Sequence, residues 1–321
     1  MFGINYVTRR AFASATKQGR VGFFGLGNMG LPMVNNLHAN GFQVKAYDPN
    51  PAAAAAAAAL GVEASADPAH VARDVDWIVT CLPRTEHVDA CLNGDSGIFK
   101  AAGPGTFICD VSTILPAASR GFAKQAEGRG MTFLDTPMSG GVGGAKAGTL
   151  SFMIGGAEPD FTRSKTVLSA MGRNIFHCGP PGAGLLAKLT NNLILGLQMM
   201  HVSEGLTLGE KLGCDPKQLS DIMSASSAQC HSVDTYNPVP GVIPGMPASN
   251  GYAGGFGVAL MLKDLGLALE ASKGVDGFSK EAARAHAMYA KLQELGYGDR
   301  DFGFAYQWIR GGYKLKPAAS T

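Results

Sequence analysis

Two stretches of this sequence hold residues whose types and spacing suit chemistry. In "RVGFFGLGNMG", Gly25, Gly27 and Gly30 stand in G-x-G-x-x-G spacing, with Leu26, Asn28 and Met29 filling the motif. An apolar run precedes the glycines, and helix-compatible residues follow as far as His38. A second apolar run, "GFQVKAYDPN", then ends at Asp48, eighteen residues after Gly30. Strand, glycine turn, helix, strand and acid in this order form a dinucleotide site. Gly25 permits the tight turn, Gly27 lets the backbone approach a pyrophosphate, and Gly30 allows helix and strand to pack closely. The helix amino terminus then faces the phosphate charge. Asp48 can accept both ribose hydroxyls of adenosine and would repel a 2'-phosphate, and no arginine stands at 49 to 51. The expected cofactor is therefore NAD and not NADP. A plainer reading makes Asp48 only a turn residue before Pro49.

The second stretch, "GLLAKLTNN" (184 to 192), opens an apolar helix and yet carries Lys188 in its first turns. Lys188 and Asn192 are four residues apart, so they share one face and can reach the same ligand. A lysine so placed can equally extend its amine to water from the edge of the helix.

These residues need elements to position them. "VDWIVTCLP" and "GTFICDVST" are continuous apolar runs, the pattern of parallel strands covered on both faces. They end at Leu82 and Pro83, and at Ser112 and Thr113, which places those residues on the carboxyl edge where ligands bind. "MTFLDTP" leads into "MSGGVGGAKAG", and "LSFMIGG" and "NIFHCG" close the nucleotide domain near residue 180. The alanine run at 52 to 60 reads as a helix laid over the sheet.

From Gly182 the pattern changes. Leu185, Leu186, Leu189, Leu193, Leu197, Met200 and Leu208 give a broad apolar surface on one segment running to about Leu212. At 1.5 Å per residue that helix is roughly 40 Å long. Segments 258–273, 280–295 and 302–310 also read as helices. The expected fold is α/β: a Rossmann-type domain with a parallel sheet over 19–180, then an all-α substrate and dimerisation domain over 181–313, then a short tail, 314–321.

Composition agrees with such an enzyme. A chain of 321 residues exceeds the usual single core, which predicts two domains. The formal charge of +2 and the lack of a basic block beyond the first twenty residues argue against nucleic acid and for a small-molecule partner. Six cysteines without a C-x-x-C pair read as structural thiols in a reducing compartment. The seven histidines show no metal-ligand spacing, so no metal is expected. No apolar run approaches the roughly 18 residues of a membrane span. The first stretch holds Arg9, Arg10, Lys17 and Arg20 and no acid. Residues 1–18 thus read as a mitochondrial transit segment, which puts the protein in the matrix, or else as a plain basic arm.

Several motifs in register carry a family resemblance: "GFFGLGNMG", "DVSTI", "PMSGGVGGAKAGTLSFMIGG", "GLLAKLTNN", "NPVPGV" and "LMLKDLGLA". The chain resembles the β-hydroxyacid dehydrogenases over essentially its whole length after the transit segment. The resemblance implies NAD-linked oxidation of a short hydroxy acid by a homodimer or homotetramer. It puts Lys188 at the catalytic lysine and Asn192 at an asparagine that helps hold substrate. Ser139, Gly140 and Gly141 fall on the loop that binds the substrate carboxylate. Leu82, Pro83, Thr113 and Lys263 fall on cofactor contacts beyond the glycine loop. The chain departs from some relatives at His87, where they carry asparagine, and at Val111, where serine is common.

The chemistry suits that placement. An alcohol losing hydride must also lose its hydroxyl proton, and a neutral lysine amine can take it if the site depresses its pKa from about 10.4. Related semialdehyde reductases, acting on glyoxylate, tartronate or succinic semialdehyde, often prefer NADP and carry a basic residue where Asp48 stands. 6-Phosphogluconate dehydrogenases share the architecture but need a longer chain. Relatives that serve only as scaffolds lose the lysine.

Overall fold

A computed structural model describes residues 18–275 and 280–314. The basic stretch 1–17 and the tail beyond 314 lie outside the described residues.

The amino-terminal half alternates strand and helix. The first six strands are β1 (Arg20–Phe24), β2 (Gln43–Tyr47), β3 (Glu63–Ala64), β4 (Trp77–Thr80), β5 (Phe107–Asp110) and β6 (Thr132–Asp135). Between them lie α1 (Gly30–Ala39), α2 (Pro51–Ala59), α3 (Pro68–Ala72), α4 (Thr85–Asn93), α5 (Ile98–Ala101) and α6 (Pro116–Glu127). There follow β7 (Met138–Ser139), α7 (Gly141–Ala147), β8 (Leu150–Gly155), α8 (Glu158–Leu168) and β9 (Gly172–Gly179).

The strands form one sheet in the order β3-β2-β1-β4-β5-β6-β8-β7, with β9 on the other side of β8. From β3 through β6 every pairing is parallel. β4 and β5 are buried along their whole length, as runs without polar alternation must be. One apolar core, with Met33, Val34, Phe107 and Phe152, covers one face of the sheet, and a second, with Ile78, Ile108, Val88 and Phe122, covers the other. Parallel order breaks at β8, which runs antiparallel to both β6 and β7. Its partner β7 is only two residues long, too short for sequence periodicity to register.

The rest is helical: α9 (Ala183–Lys211), α10 (Pro216–Ser224), α11 (His231–Asp234), α12 (Val258–Ala271), α13 (Lys280–Glu294) and α14 (Ala305–Arg310). Beyond β9 the described residues hold no strand, only an isolated bridge between Gly257 and Asp301. The predicted helix at 302–310 divides into a 3-10 turn, Phe302–Phe304, whose start is capped by the Asp301 carboxylate accepting the Gly303 N–H at 2.8 Å, and α14. α9 is 29 residues long. Its start joins the sheet's core through Leu185, and its middle joins the helical core of Met199, Met261, Leu265 and Tyr289. One rigid rod therefore runs from the sheet edge into the helical unit.

Candidate active site

The glycine turn is built on close contacts. Gly25 has φ of 99°, and a Cβ there would lie 2.2 Å from the Cys81 carbonyl oxygen. A Cβ on Gly30 would lie 1.8 Å from the carbonyl oxygen of Gly25, so neither position admits another residue without moving backbone. Gly27 differs: a Cβ would meet nothing within 4 Å. No packing within the chain requires that glycine, and the open space above it is where a bound group would approach. The N–H groups of Asn28 and Met29 find no partner among the described residues, and they precede α1. Asp48, half-buried, accepts the Leu26 N–H at 2.7 Å through one oxygen and the Asn50 N–H at 2.8 Å through the other. It is a turn residue as well as a staple on the glycine loop, and each carboxylate oxygen keeps a lone pair for a ribose hydroxyl. Free N–H donors, an uncrowded Gly27 and a strand-end acid together fit NAD.

The carboxyl edge of the sheet adds its own contacts. Leu82 donates its N–H to the Ser112 hydroxyl at 2.9 Å, which joins the loop after β4 to the loop after β5. Beneath them Asp110 is fully buried, and its Oδ1 accepts from the Thr80 hydroxyl at 2.8 Å and the Ser112 N–H at 3.1 Å. Burial raises the Asp110 carboxyl to about 6, against the pull of those donors. Lys263 on α12 crosses to this edge, donating to the Thr113 carbonyl at 2.9 Å and the Pro83 carbonyl at 3.3 Å. Pro83, Thr113 and Lys263, far apart in sequence, thus meet at one point. His87 lies exposed on α4.

Lys188 and Asn192 are 7% and 2% exposed, so this lysine does not extend into solvent from the helix edge. Its amine finds no hydrogen-bond acceptor among the described residues. Burial lowers the Lys188 pKa below its ordinary value; the Asp264 carboxylate opposes that shift and the Lys263 charge adds to it. Asn192 donates to Asp264 Oδ2 at 2.6 Å and accepts from the Asn191 amide at 3.1 Å. Asp264 Oδ1 lies 3.3 Å from Lys263 Nζ, an ion pair without the alignment of a hydrogen bond. A buried carboxylate therefore joins Asn192 to the lysine that clasps the sheet edge, and its field falls on Lys188.

Ser139 is half-buried at the end of β7, its backbone paired with Ser151 of β8, and Gly140 and Gly141 are exposed beside it. Both glycines have positive φ, 134° and 60°, which turns the chain sharply into α7. No hydrogen bond joins this loop directly to Lys188; the loop pairs with β8, and α9, which carries Lys188, packs against the same strand. Asp135 closes β6 at 1% exposure and accepts the N–H groups of Gly182 at 2.7 Å and Leu185 at 2.9 Å. Burial raises its carboxyl to about 6 even so.

Sequence reasoning passed over Asp110, Asp135 and Asp264. Each left a trace: the first two are acids closing apolar runs, "FICD" and "TFLD", and Asp264 sits among the buried positions Met261, Leu265 and Ala268 on the apolar face of α12.

Among the described residues no group of three or more His, Cys, Asp and Glu side chains could hold a metal ion, and the six cysteines are free. No helix among them is long and apolar enough to cross a membrane.

Comparison with known proteins bears on this geometry. Residues 20–179 match the family described as the NAD binding domain of 6-phosphogluconate dehydrogenase, and residues 182–309 match the NAD-binding family of NADP-dependent 3-hydroxyisobutyrate dehydrogenase. The chain is 45% identical over 303 residues to a probable mitochondrial 3-hydroxyisobutyrate dehydrogenase of Dictyostelium discoideum, covering 94% of each. It is 42% identical to the human mitochondrial 3-hydroxyisobutyrate dehydrogenase, over 95% of this chain and 90% of that one. The solved structure of Mycobacterium tuberculosis 3-hydroxyisobutyrate dehydrogenase with L-serine superposes with a TM-score of 0.86 at 40% identity, covering 91% of this chain and 99% of that one.

Proposed function

Because the chain belongs to the 3-hydroxyisobutyrate dehydrogenase family of NAD-dependent oxidoreductases, we propose that it oxidises 3-hydroxyisobutyrate to methylmalonate semialdehyde in the mitochondrial matrix, a step of valine breakdown. The observation that carries this reading is Lys188: a buried amine with a depressed pKa, without an acceptor among the described residues, one turn before Asn192. Bound NAD+ supplies the hydride acceptor. Gly25 to Gly30 and Asp48 would hold its pyrophosphate and adenosine ribose, and Leu82, Pro83, Thr113 and Lys263 would add contacts at the sheet edge. Ser139 and the N–H groups of Gly140 and Gly141 bind the substrate carboxylate. Asn192, fixed by Asp264, orients the substrate beside Lys188. The neutral amine of Lys188 takes the hydroxyl proton as hydride departs, and in the reverse direction its ammonium form returns that proton to the aldehyde oxygen.

The mitochondrial part of the proposal draws on the basic, acid-free first stretch and on the mitochondrial relatives. Leu186, Ile194, Leu208 and Leu212 lie exposed on and just beyond α9, which supports assembly of two or four copies through the helical unit. L-serine is a second candidate substrate, since it accompanies the mycobacterial relative in its structure and shares the carboxylate and primary alcohol that the site would read.

The test is the initial rate of nicotinamide reduction with NAD and with NADP, each against 3-hydroxyisobutyrate, L-serine and other short hydroxy acids. The highest kcat/KM is expected for 3-hydroxyisobutyrate with NAD. A tenfold preference for another acid would overturn the substrate assignment, and one for NADP would overturn the role given to Asp48.

A further inference from the structure

The two parts of the site that must hold opposite ends of one small substrate are separated by more than forty residues of chain. Ser139 to Gly141 follow β6 and β7, while Lys188 stands on α9. For an acid whose alcohol carbon lies a fixed number of bonds from its carboxylate, the spacing of these parts decides whether the hydroxyl reaches the amine.

One residue borders both. Asp135 is the last residue of β6, four positions before Ser139, so its backbone sets where the carboxylate loop departs. Its carboxylate grips the start of α9, accepting the Gly182 N–H at 2.7 Å through Oδ1 and the Leu185 N–H at 2.9 Å through Oδ2. The α9 terminus has no side-chain cap of its own, since Gly182 stands at the N-cap with φ of 89°. The helix is therefore capped from a strand 47 residues away. Lys188 follows Leu185 by three residues, about 4.5 Å along the axis.

The surroundings allow little play. A Cβ on Gly155 would lie 2.4 Å from Asp135 Oδ1. A Cβ on Gly184 would lie 2.2 Å from the Met153 carbonyl oxygen and 2.9 Å from Asp135 Oδ2. Backbone, carboxylate and helix start thus touch directly, and β8, which receives the helix start at Met153, also receives the loop through Pro137 and Ser139. We infer that Asp135 is a positioning residue which sets the distance between the carboxylate-binding loop and Lys188, and so selects hydroxy acids by the spacing of their carboxylate and hydroxyl groups. This rests on the reading of Lys188 and Ser139 proposed above.

Asp135→Asn tests it. The amide keeps one acceptor oxygen but turns an NH2 group toward an N–H donor, so the helix start must shift. Rates are measured well below the melting temperature of each variant and normalised to NAD-binding sites counted by titration. The quantity read is the ratio of kcat/KM for 3-hydroxyisobutyrate to that for 4-hydroxybutyrate, which is one carbon longer between its functional groups.

Asp135→Asn is expected to lower this ratio at least fivefold and to change NAD affinity less than threefold. Gly182→Ala keeps the carboxylate but strains the donor at positive φ, so it should move the ratio in the same direction and serves if Asp135→Asn does not fold. Leu168→Ala, a buried position on α8, controls for lost stability alone and should leave the ratio unchanged. An unchanged ratio in a folded Asp135→Asn or Gly182→Ala enzyme overturns the positioning role, as does an equal change in Leu168→Ala. A wild-type enzyme inactive on 3-hydroxyisobutyrate overturns the proposed function itself, and the positioning role falls with it.

Discussion

The two ends of α9 use charge in opposite ways. Near its start, Lys188 is buried without an acceptor among the described residues, and the nearby carboxylates Asp135 and Asp264 are 1% and 3% exposed. Near its end, Glu210 is paired on the surface: Arg310 donates to it through Nε at 2.9 Å and Nη2 at 2.7 Å, and the Tyr306 hydroxyl donates at 2.6 Å. The first arrangement perturbs a pKa and carries a desolvation cost; the second lies where water screens both partners. Charge that is buried and poorly partnered is the arrangement expected of a chemical site, and charge that is exposed and paired adds only modest stability.

The largest expected effect lies at the start of the helix. Lys188→Ala should lower kcat by about 10² to 10⁴, the usual span for a lost general acid or base, with NAD affinity left largely intact. Steady-state kinetics alongside an NAD binding titration separate the two. Turnover within tenfold of wild type would sink the role proposed for this lysine.

Glycines sharpen the contrast. The Gly184 position is closed by backbone, whereas a Cβ on Gly209 would lie 2.3 Å from Leu219 Cδ1, the movable tip of a side chain. Gly184→Ala should destabilise by about 1–3 kcal/mol or more, because a carbonyl cannot rotate aside. In Gly209→Ala the better helix propensity of alanine, up to about 1 kcal/mol, offsets the displacement of Leu219. Thermal melts of the two variants read the difference, and equal losses would show that the two ends are packed alike.

A smaller effect concerns pH. Oxidation needs the neutral amine, so kcat/KM should rise with pH through the Lys188 pKa, below the ordinary lysine value of 10.5. The Asp264 charge raises that pKa, so removing it in Asp264→Asn lowers the pKa further and moves the rising limb to lower pH. A loss of activity on the order of tenfold should accompany the shift, since Asn192 loses a charged acceptor. A limb at the wild-type pH would mean that Asp264 acts on Asn192 alone.

Much of this helix was legible in sequence, and the reason is local. Leucine spacing gave its extent to within a few residues, and the four-residue interval put Lys188 and Asn192 on one face. The glycine turn was legible for the same reason, since strand, turn and acid are consecutive. What joins these parts was not. Asp135 meets Gly182 across 47 residues, and Lys263 meets Pro83 across 180, contacts that exist only once the chain is folded. The two-residue β7 and the reversed β8 escaped for a related reason, because strand direction is set by pairing and leaves no periodic mark. Buried acids at the ends of apolar runs were the readable anomaly.

The smallest effect tests the far end of the helix. Arg310 and the Tyr306 hydroxyl hold the Glu210 carboxyl below its ordinary pKa of 4.5. A depressed carboxyl contributes stability that is fully present above its unfolded value and is lost as pH falls through the folded one. With side-chain exposures of 24% for Glu210 and 51% for Arg310, solvent screening limits the contribution to about 1 kcal/mol or less. Glu210→Gln should therefore lower the melting temperature by only a few degrees at pH 7, and the gap from wild type should close as pH falls below 4.5. Turnover should stay at the wild-type level, because α9 carries Glu210 22 residues, about 33 Å, beyond Lys188. A fall in kcat as large as that of Asp264→Asn would mean the two ends of the rod are coupled, and the contrast between them would fail.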